Sequence, residues 1–345
     1  MNKEIQTYWN SISEILLKKA GISDSFTLAS IAGGRNNKVF KLETRHEVFL
    51  LKSYFYHPND SRDRLGQEFA FLEYLQAMGS RYAAAPYAKD TVLHLGLMEF
   101  IKGERPSLET ITKREIEHAG NFFIELNKEN TTPRALELKA ASEACFSFEE
   151  HVATTQKRID RLSGIIVLDD IDSIAVDFTK KEILPSWSEI KNIIEHKASN
   201  TYRSKLTLSE RCLSPSDFGF HNTLKTAENN IRFVDFEYAG WDDPAKLISD
   251  FANQPDMLLP RELSDYFKSM VINRFERKEA LNLRVSLLGP LYQVKWACIC
   301  LNDFLQIGRS RRNFTDGDSS KDLEKRIFQL NQAKVMLKRI SKSCL

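Results

Sequence analysis

Residues 26–55 constrain the fold most. FTLASIAGGRNNKVFKLETRHEVFLLKSYF holds three strand-like runs, Phe26–Ile31, Lys38–Glu43 and Val48–Phe55. Gly33-Gly34 and Thr44-Arg45-His46 break them apart. Such breaks suit hairpin turns, whereas parallel neighbours need a crossover of a dozen residues or more. The stretch therefore reads as an antiparallel meander. Before it, Ile5, Tyr8, Trp9, Ile12, Ile15 and Leu16 recur at helical spacing, which predicts an amphipathic helix over an edge of the first lobe. After it, Leu65, Phe69, Leu72 and Leu75 predict a helix over 61–78. Two short apolar stretches follow, Thr91–Leu95 and Leu97–Ile101, and Lys102-Gly103-Glu104 ends them.

Beyond residue 105 the pattern turns helical. Helices are expected over Arg114–Glu129, Phe146–Ser163 and Pro185–Asn200, and again from about 240 to the end. A strand-rich island at 213–240 interrupts them. Strands and helices are segregated rather than alternating, so the expected class is α+β. The expected division is a β-rich lobe over 1–102 and a larger helical lobe over 103–345. A chain of 345 residues is long enough for two such lobes.

Charge excludes some partners. Forty-nine Lys and Arg against 47 Asp and Glu give a formal charge of +2, which argues against a nucleic-acid-binding module. No apolar run approaches the roughly 20 residues of a membrane helix, and the N-terminus lacks the apolar core of a signal peptide. The five cysteines form no CxxC pair, so neither a zinc site nor a disulfide framework is expected. A cytoplasmic protein is the expectation.

The island carries the chemistry. LSPSDFGFHNTL, residues 213–224, is followed by IRFVDFEYAG, residues 231–240. Asp217 precedes Asn222 by five residues, and Asp235 closes an apolar run. The polar turn Lys225–Asn230 sets Asn222 and Asp235 near the two ends of a strand–turn–strand unit. Asp217, Asn222 and Asp235 make an all-oxygen set, which suits Mg²⁺ bound by one or two carboxylates plus substrate phosphates, and the remaining aspartate is free to accept a proton from a hydroxyl.

Asp-x-x-x-x-Asn followed by a hydrophobic strand ending in Asp resembles the catalytic core of protein-kinase-like folds. The wording is closer to the aminoglycoside phosphotransferase and choline kinase superfamily. Phe233–Ala245, FVDFEYAGWDDPA, looks like that family's Asp-bearing strand, and Ala32–Phe40 looks like its nucleotide loop. Leu50-Leu-Lys52 looks like its strand lysine, Glu68 like the partner on the next helix, and Leu97–Glu104 like its hinge. The resemblance implies a two-lobe fold and transfer of the γ-phosphoryl group of ATP, with GTP not excluded, to a hydroxyl of a small polar molecule with Mg²⁺. Gly33, Gly34 and Asn37 would approach the phosphates, and Lys52, held by Glu68, would bind them. Backbone groups near Glu99 and Phe100 would receive the adenine edge. Asp217 would orient and deprotonate the acceptor, and Asn222 and Asp235 would hold the metal.

The sequence departs from the family pattern. Ser214-Pro215-Ser216 stands where His-Gly often precedes the aspartate. Gly219 stands where a His often follows it, and His221 precedes Asn222 instead. Asp217-Phe218-Gly219 also spells the metal motif of protein kinases. Residues 196–212 offer no aspartate for the loop that would have to precede such a motif, so the spelling is read as coincidence. A protein kinase and a nucleotide-binding scaffold without turnover are the rival readings. Asp242 or Asp243, ahead of Pro244, is expected to cap a helix.

Overall fold

The computed structural model describes residues 3–31, 37–56, 62–305 and 322–340. Gly33 and Gly34 lie outside the described residues. The chain groups into two compact units. The first takes in Met1–Ser107, Glu125–Ser142 and Pro215–Gly240, and the second takes in Leu108–Ile124, Glu143–Ser214 and Trp241–Leu345.

The first unit is built on a five-stranded antiparallel sheet. Its strands are β1 (Phe26–Ile31), β2 (Lys38–Thr44), β3 (Val48–Ser53), β4 (Pro86–Asp90) and β5 (Leu95–Glu99). The order is β1-β2-β3-β5-β4. The first three form the expected meander. The fourth is Pro86-Tyr-Ala-Lys-Asp90, and the apolar stretch 91–95 after it is mostly a turn. An edge strand needs only one apolar face and tolerates proline, so it leaves little apolar signal in the sequence. The turn is held by Asp90, whose Oδ1 accepts from the N–H groups of Val92 and Leu93.

Helix α1 (Lys3–Lys19) lies on one face of this sheet. Trp9, Ile12, Leu16 and Leu17 pack there with Phe40, Leu42, Phe49, Leu51, Leu95 and Leu97. Alternation in β2 and β3 sends those side chains to a single face. Ile5, Tyr8 and Ile15, also expected on the apolar stripe, are exposed. The buried stripe runs 9-12-16, and their positions fall to its flank.

Helix α2 (Arg64–Ala77) starts at Asp63, whose carboxylate accepts from the Gly66 N–H at 2.9 Å. It buries Leu65, Glu68, Phe69 and Leu72. Gly96 on β5 explains how closely α2 approaches: a Cβ there would lie 2.4 Å from the Phe69 ring. Gly96 is also the register partner of Lys52 on β3. The missing side chain therefore makes room for the helix beside the lysine.

The unit is completed by a short hairpin, Thr223–Lys225 with Ile231–Phe233. Glu104 forms an antiparallel bridge to Lys225. Gly103 allows that approach, because a Cβ there would sit 2.8 Å from the Lys225 carbonyl oxygen.

The second unit is helical. Its longest helix, Lys278–Cys300, packs with Phe148–Arg161, Leu184–Lys197, Pro244–Asn253 and Asp322–Lys338. Asp243 caps Pro244–Asn253 by accepting from the Ala245 N–H at 2.7 Å, as expected of one of the two aspartates. The helix Asp170–Phe178 has no counterpart in the sequence reading. It is only 9 residues long, and its buried Asp172 is stabilised by Arg326, 154 residues away, at 2.8 Å. That support is tertiary and leaves no local signal. Cys145, Cys212, Cys298 and Cys300 are buried and unbonded to one another. No helix among the described residues is long and apolar enough to cross a membrane.

Candidate active site

Lys52 sits on β3 at a position whose side chain leaves the α1-covered face. Burying an ammonium demands carboxylate partners. Two are present: Glu68 Oε2 at 2.7 Å and Asp235 Oδ1 at 2.6 Å. Lys52 is 5% exposed and Glu68 1%. Burial alone would favour the neutral amine, but the charges of Asp235, Glu68 and Glu237 outweigh it, and the ammonium is held well above its ordinary value. The lysine is a fixed positive charge at every physiological pH.

Glu68 has a second role. Its other oxygen, Oε1, accepts from the Phe236 N–H at 3.1 Å. One carboxylate on α2 thus joins the strand lysine to the segment that carries Asp235. Gln67 reinforces the same junction, donating to the Ala239 carbonyl at 2.7 Å and to that of Ala140 at 3.0 Å.

Asp235 lies two residues past the end of its strand, with φ at +68°. This left-handed geometry turns the chain out of the hairpin. The Val234 N–H still bonds the Asn222 carbonyl at 3.0 Å, so Asn222 and Asp235 flank one end of the hairpin. The expectation of opposite ends drawn together by a strand–turn–strand unit is met in this form.

Asp217 lies in a tight loop. Its N–H bonds the Pro215 carbonyl at 3.0 Å, and Ser216 between them has φ at +68°. The next turn, Phe220–Asn222, is a single turn of 3₁₀-helix. It brings two donors back onto the aspartate. Asn222 Nδ2 donates to Asp217 O at 3.0 Å and to Asp217 Oδ2 at 3.3 Å. His221 Nε2 lies 3.1 Å from Asp217 Oδ1.

The structure also assembles residues that sequence reasoning passed over. Glu237 is buried and accepts from Asn37 Nδ2 at 2.7 Å, with Arg64 Nε 3.7 Å away. Its carboxyl is pushed up by burial and by the neighbouring Asp235 charge. Asn37 Oδ1 accepts from the Phe55 N–H at 3.2 Å, and Arg64 Nη1 donates to the Phe55 carbonyl at 3.0 Å. Asn37 is therefore tied into the Lys52–Asp235–Glu237 group. The signal for Glu237 was its two-residue spacing from Asp235 across a buried Phe236. Arg64 gave no signal, since a residue at a helix start is usually solvated. Tyr54 adds its ring to the lysine, 4.9 Å from the ammonium. Its hydroxyl is held well above the ordinary phenol value by burial and by Glu68.

Glu99 ends strand β5, which lies between β3 and the edge strand β4, and Phe100 follows it. The Glu99 N–H bonds the Ala85 carbonyl at 2.8 Å, and the Phe100 N–H bonds the Val48 carbonyl at 3.3 Å. The Glu99 carboxylate takes Arg232 at 2.8 Å and the Ala85 N–H at 3.1 Å. Those N–H groups belong to the sheet.

The described residues thus bring Asn37, Lys52, Glu68, Asp217, Asn222 and Asp235 into one unit. Among them no group of three or more His, Cys, Asp or Glu is arranged to hold a metal ion. A divalent ion would rely on the amide oxygen of Asn222, the Asp235 carboxylate and oxygens brought by a ligand.

Comparisons with known proteins bear on the family and the fold. A family model described as the phosphotransferase enzyme family matches residues 27–252. A sequence search of curated proteins finds no match. Among solved structures, spectinomycin phosphotransferase APH(9)-Ia has a TM-score of 0.63 at 15% identity, covering 95% of this chain and 98% of that one. The choline kinase LicA from Streptococcus pneumoniae has a TM-score of 0.60 at 12% identity, covering 96% and 99%. An ethanolamine kinase from Plasmodium vivax has a TM-score of 0.58 at 16% identity, covering 90% and 82%. These likenesses show an α+β, protein-kinase-like fold. With the family model spanning well over half of its length, the chain belongs to the phosphotransferase enzyme family and is a small-molecule kinase.

Proposed function

We propose that this protein transfers the γ-phosphoryl group of ATP to a hydroxyl of a small polar molecule, with Mg²⁺. One observation carries the reading: the Lys52 ammonium is fixed between Glu68 at 2.7 Å and Asp235 at 2.6 Å, in the unit where Asn222 is bonded to Asp217. Phosphoryl transfer needs little covalent participation from the protein. It needs the phosphates held, their charge neutralised and the hydroxyl aimed.

Each residue has a role in that scheme. Lys52 binds α- and β-phosphate oxygens, and Glu68 holds the lysine in place. Asn37 brings its backbone close to the phosphates. The strand end at Glu99 and Phe100 receives the adenine edge through carbonyls and the N–H groups that follow.

The donors fit Mg²⁺ chemically. Asn222 uses its Nδ2 on Asp217, which leaves its amide oxygen as the donor that faces away. The Asp235 side chain is one-third exposed, with one oxygen on Lys52. Asn222 and Asp235 would hold the ion, whose chemistry would be to neutralise charge on the phosphate oxygens. Asp217 accepts the proton of the attacking hydroxyl. Its own side chain is about one-third exposed, so an acceptor can reach it.

The solved structures of similar fold include kinases for choline, ethanolamine and spectinomycin. Those acceptors support a small polar alcohol here. ³¹P NMR of the protein with Mg·ATP and separate sugars, amino alcohols and aminoglycosides tests the reading. A new phosphomonoester signal with one acceptor is expected. ADP formation with none of them, and no new signal, would contradict it.

A further inference from the structure

Two consecutive residues hold the Asp217 carboxylate from two sides. Asn222 Nδ2 takes Oδ2 at 3.3 Å, and His221 Nε2 takes Oδ1 at 3.1 Å. Both donors come from the one-turn helix Phe220–Asn222. Neither bond alone fixes the carboxylate. A carboxylate tied at one oxygen can still swing about its Cβ–Cγ bond, and that torsion is broad. Tied at both oxygens, it presents one edge.

The second tie matters because of where Asp217 stands. Its loop runs through a left-handed Ser216, and about one-third of its side chain is exposed. His221 is more enclosed, with its side chain 11% exposed. An ionised carboxylate only accepts hydrogen bonds, so the imidazole must carry its proton on Nε2 and donate. The imidazole is thus a donor aimed at the aspartate from within its own loop.

We propose that His221 is a positioning residue for the reaction: its Nε2–H fixes the rotation of the Asp217 carboxylate so that the other face of the group meets the acceptor hydroxyl. This rests on the reading of Asp217 as the proton acceptor. His221 touches neither phosphate nor acceptor. It acts through Asp217, which distinguishes it from Asn222, assigned to the metal as well.

The test uses Mg·ATP with glycerol as the hydroxyl probe. Loss of the γ-phosphoryl group is counted as glycerol phosphate plus inorganic phosphate. His221→Phe keeps a flat ring and removes the donor. It is expected to lower kcat roughly 10- to 100-fold, the range for one hydrogen bond to a charged group. The KM for ATP should stay within about twofold, because uniform binding is untouched. His221→Gln, which restores an N–H, should recover most of the loss. In an Asp217→Ala background, His221→Phe should cause no further loss, because the two act as one unit.

A kcat within twofold of wild type in His221→Phe overturns the proposal, as does an equal loss in His221→Gln. An additive loss in the Asp217→Ala background overturns it too. Wild-type turnover in Asp217→Ala instead removes the base assignment beneath it, so the two failures are told apart. A substrate-free arm checks the geometry: ¹⁵N NMR of the imidazole should show His221 protonated on Nε2, and protonation on Nδ1 alone overturns the proposal.

Discussion

Lys52 on a sheet strand and Asp235 beyond the hairpin, 183 residues later in sequence, meet at 2.6 Å through one buried ammonium. Glu68 completes the contact from a helix and also bonds the backbone next to Asp235. Three elements far apart in sequence are thus tied at a single cation. The arrangement makes the lysine both a binding group and a structural pin.

Removing the pin should be costly. Lys52→Met leaves the buried Glu68 carboxylate without its cation, and breaking a buried pair typically costs about 3–5 kcal/mol. Glu68→Gln should cost less, because the lysine keeps Asp235 and the amide can still accept from Phe236. Urea denaturation should rank wild type above Glu68→Gln and Glu68→Gln above Lys52→Met. Calorimetric titration with Mg·ATP should show at least about a tenfold loss of affinity in Lys52→Met. Equal stability of the two variants would refute the shared-pin account.

Asp235→Ala tests the metal assignment. The variant should bind ATP with little dependence on Mg²⁺, whereas wild type should bind far more tightly with the ion present. Titrations with and without Mg²⁺, at matched ionic strength, read this directly. An unchanged Mg²⁺ effect in the variant would assign the ion elsewhere.

The second unit carries a pH-sensitive element of stability. His151 is fully buried between Asp243, 2.9 Å from Nε2, and the Tyr292 hydroxyl, 2.8 Å from Nδ1. Burial lowers its pKa below the ordinary 6.5, with Arg284 adding to the effect and the Asp243 bond opposing it. The folded state therefore holds the ring neutral while the unfolded chain takes up a proton. Stability from this group is complete above about pH 6.5 and declines as pH falls below it. Denaturation midpoints between pH 7.5 and about pH 5 should fall in wild type. In His151→Gln, the part of that fall due to this ring should vanish. Identical slopes in the two proteins would show that His151 does not titrate with folding.

Much of the site was legible because its chemistry is local in sequence. Asp217 and Asn222 lie five residues apart, and one turn of helix brings them together. The strand lysine and the meander were readable from alternation and turn residues. What remained hidden depended on partners distant in sequence. Glu237 is tied to the group by Asn37, 200 residues upstream, which bonds it. Arg64 joins through Phe55 and Glu237 in the same way. β4 leaves little signal because an edge strand with Pro86 and Lys89 has one apolar face at most. The helix at 170–178 was missed because Arg326 stabilises its buried aspartate from the far end of the chain. His221 could be placed beside Asn222 from the sequence, but its bond to Asp217 needed the loop's geometry.

The central claim is that Asp217 performs proton transfer for a phosphoryl group that the other residues bind. Single-turnover transfer by Asp217→Ala, measured beside its Mg·ATP affinity, tests it most directly. The account predicts a rate lower by roughly 10²- to 10⁴-fold, with Mg·ATP affinity within about threefold of wild type. Wild-type transfer in that variant, or loss of nucleotide affinity in step with the rate, would contradict it.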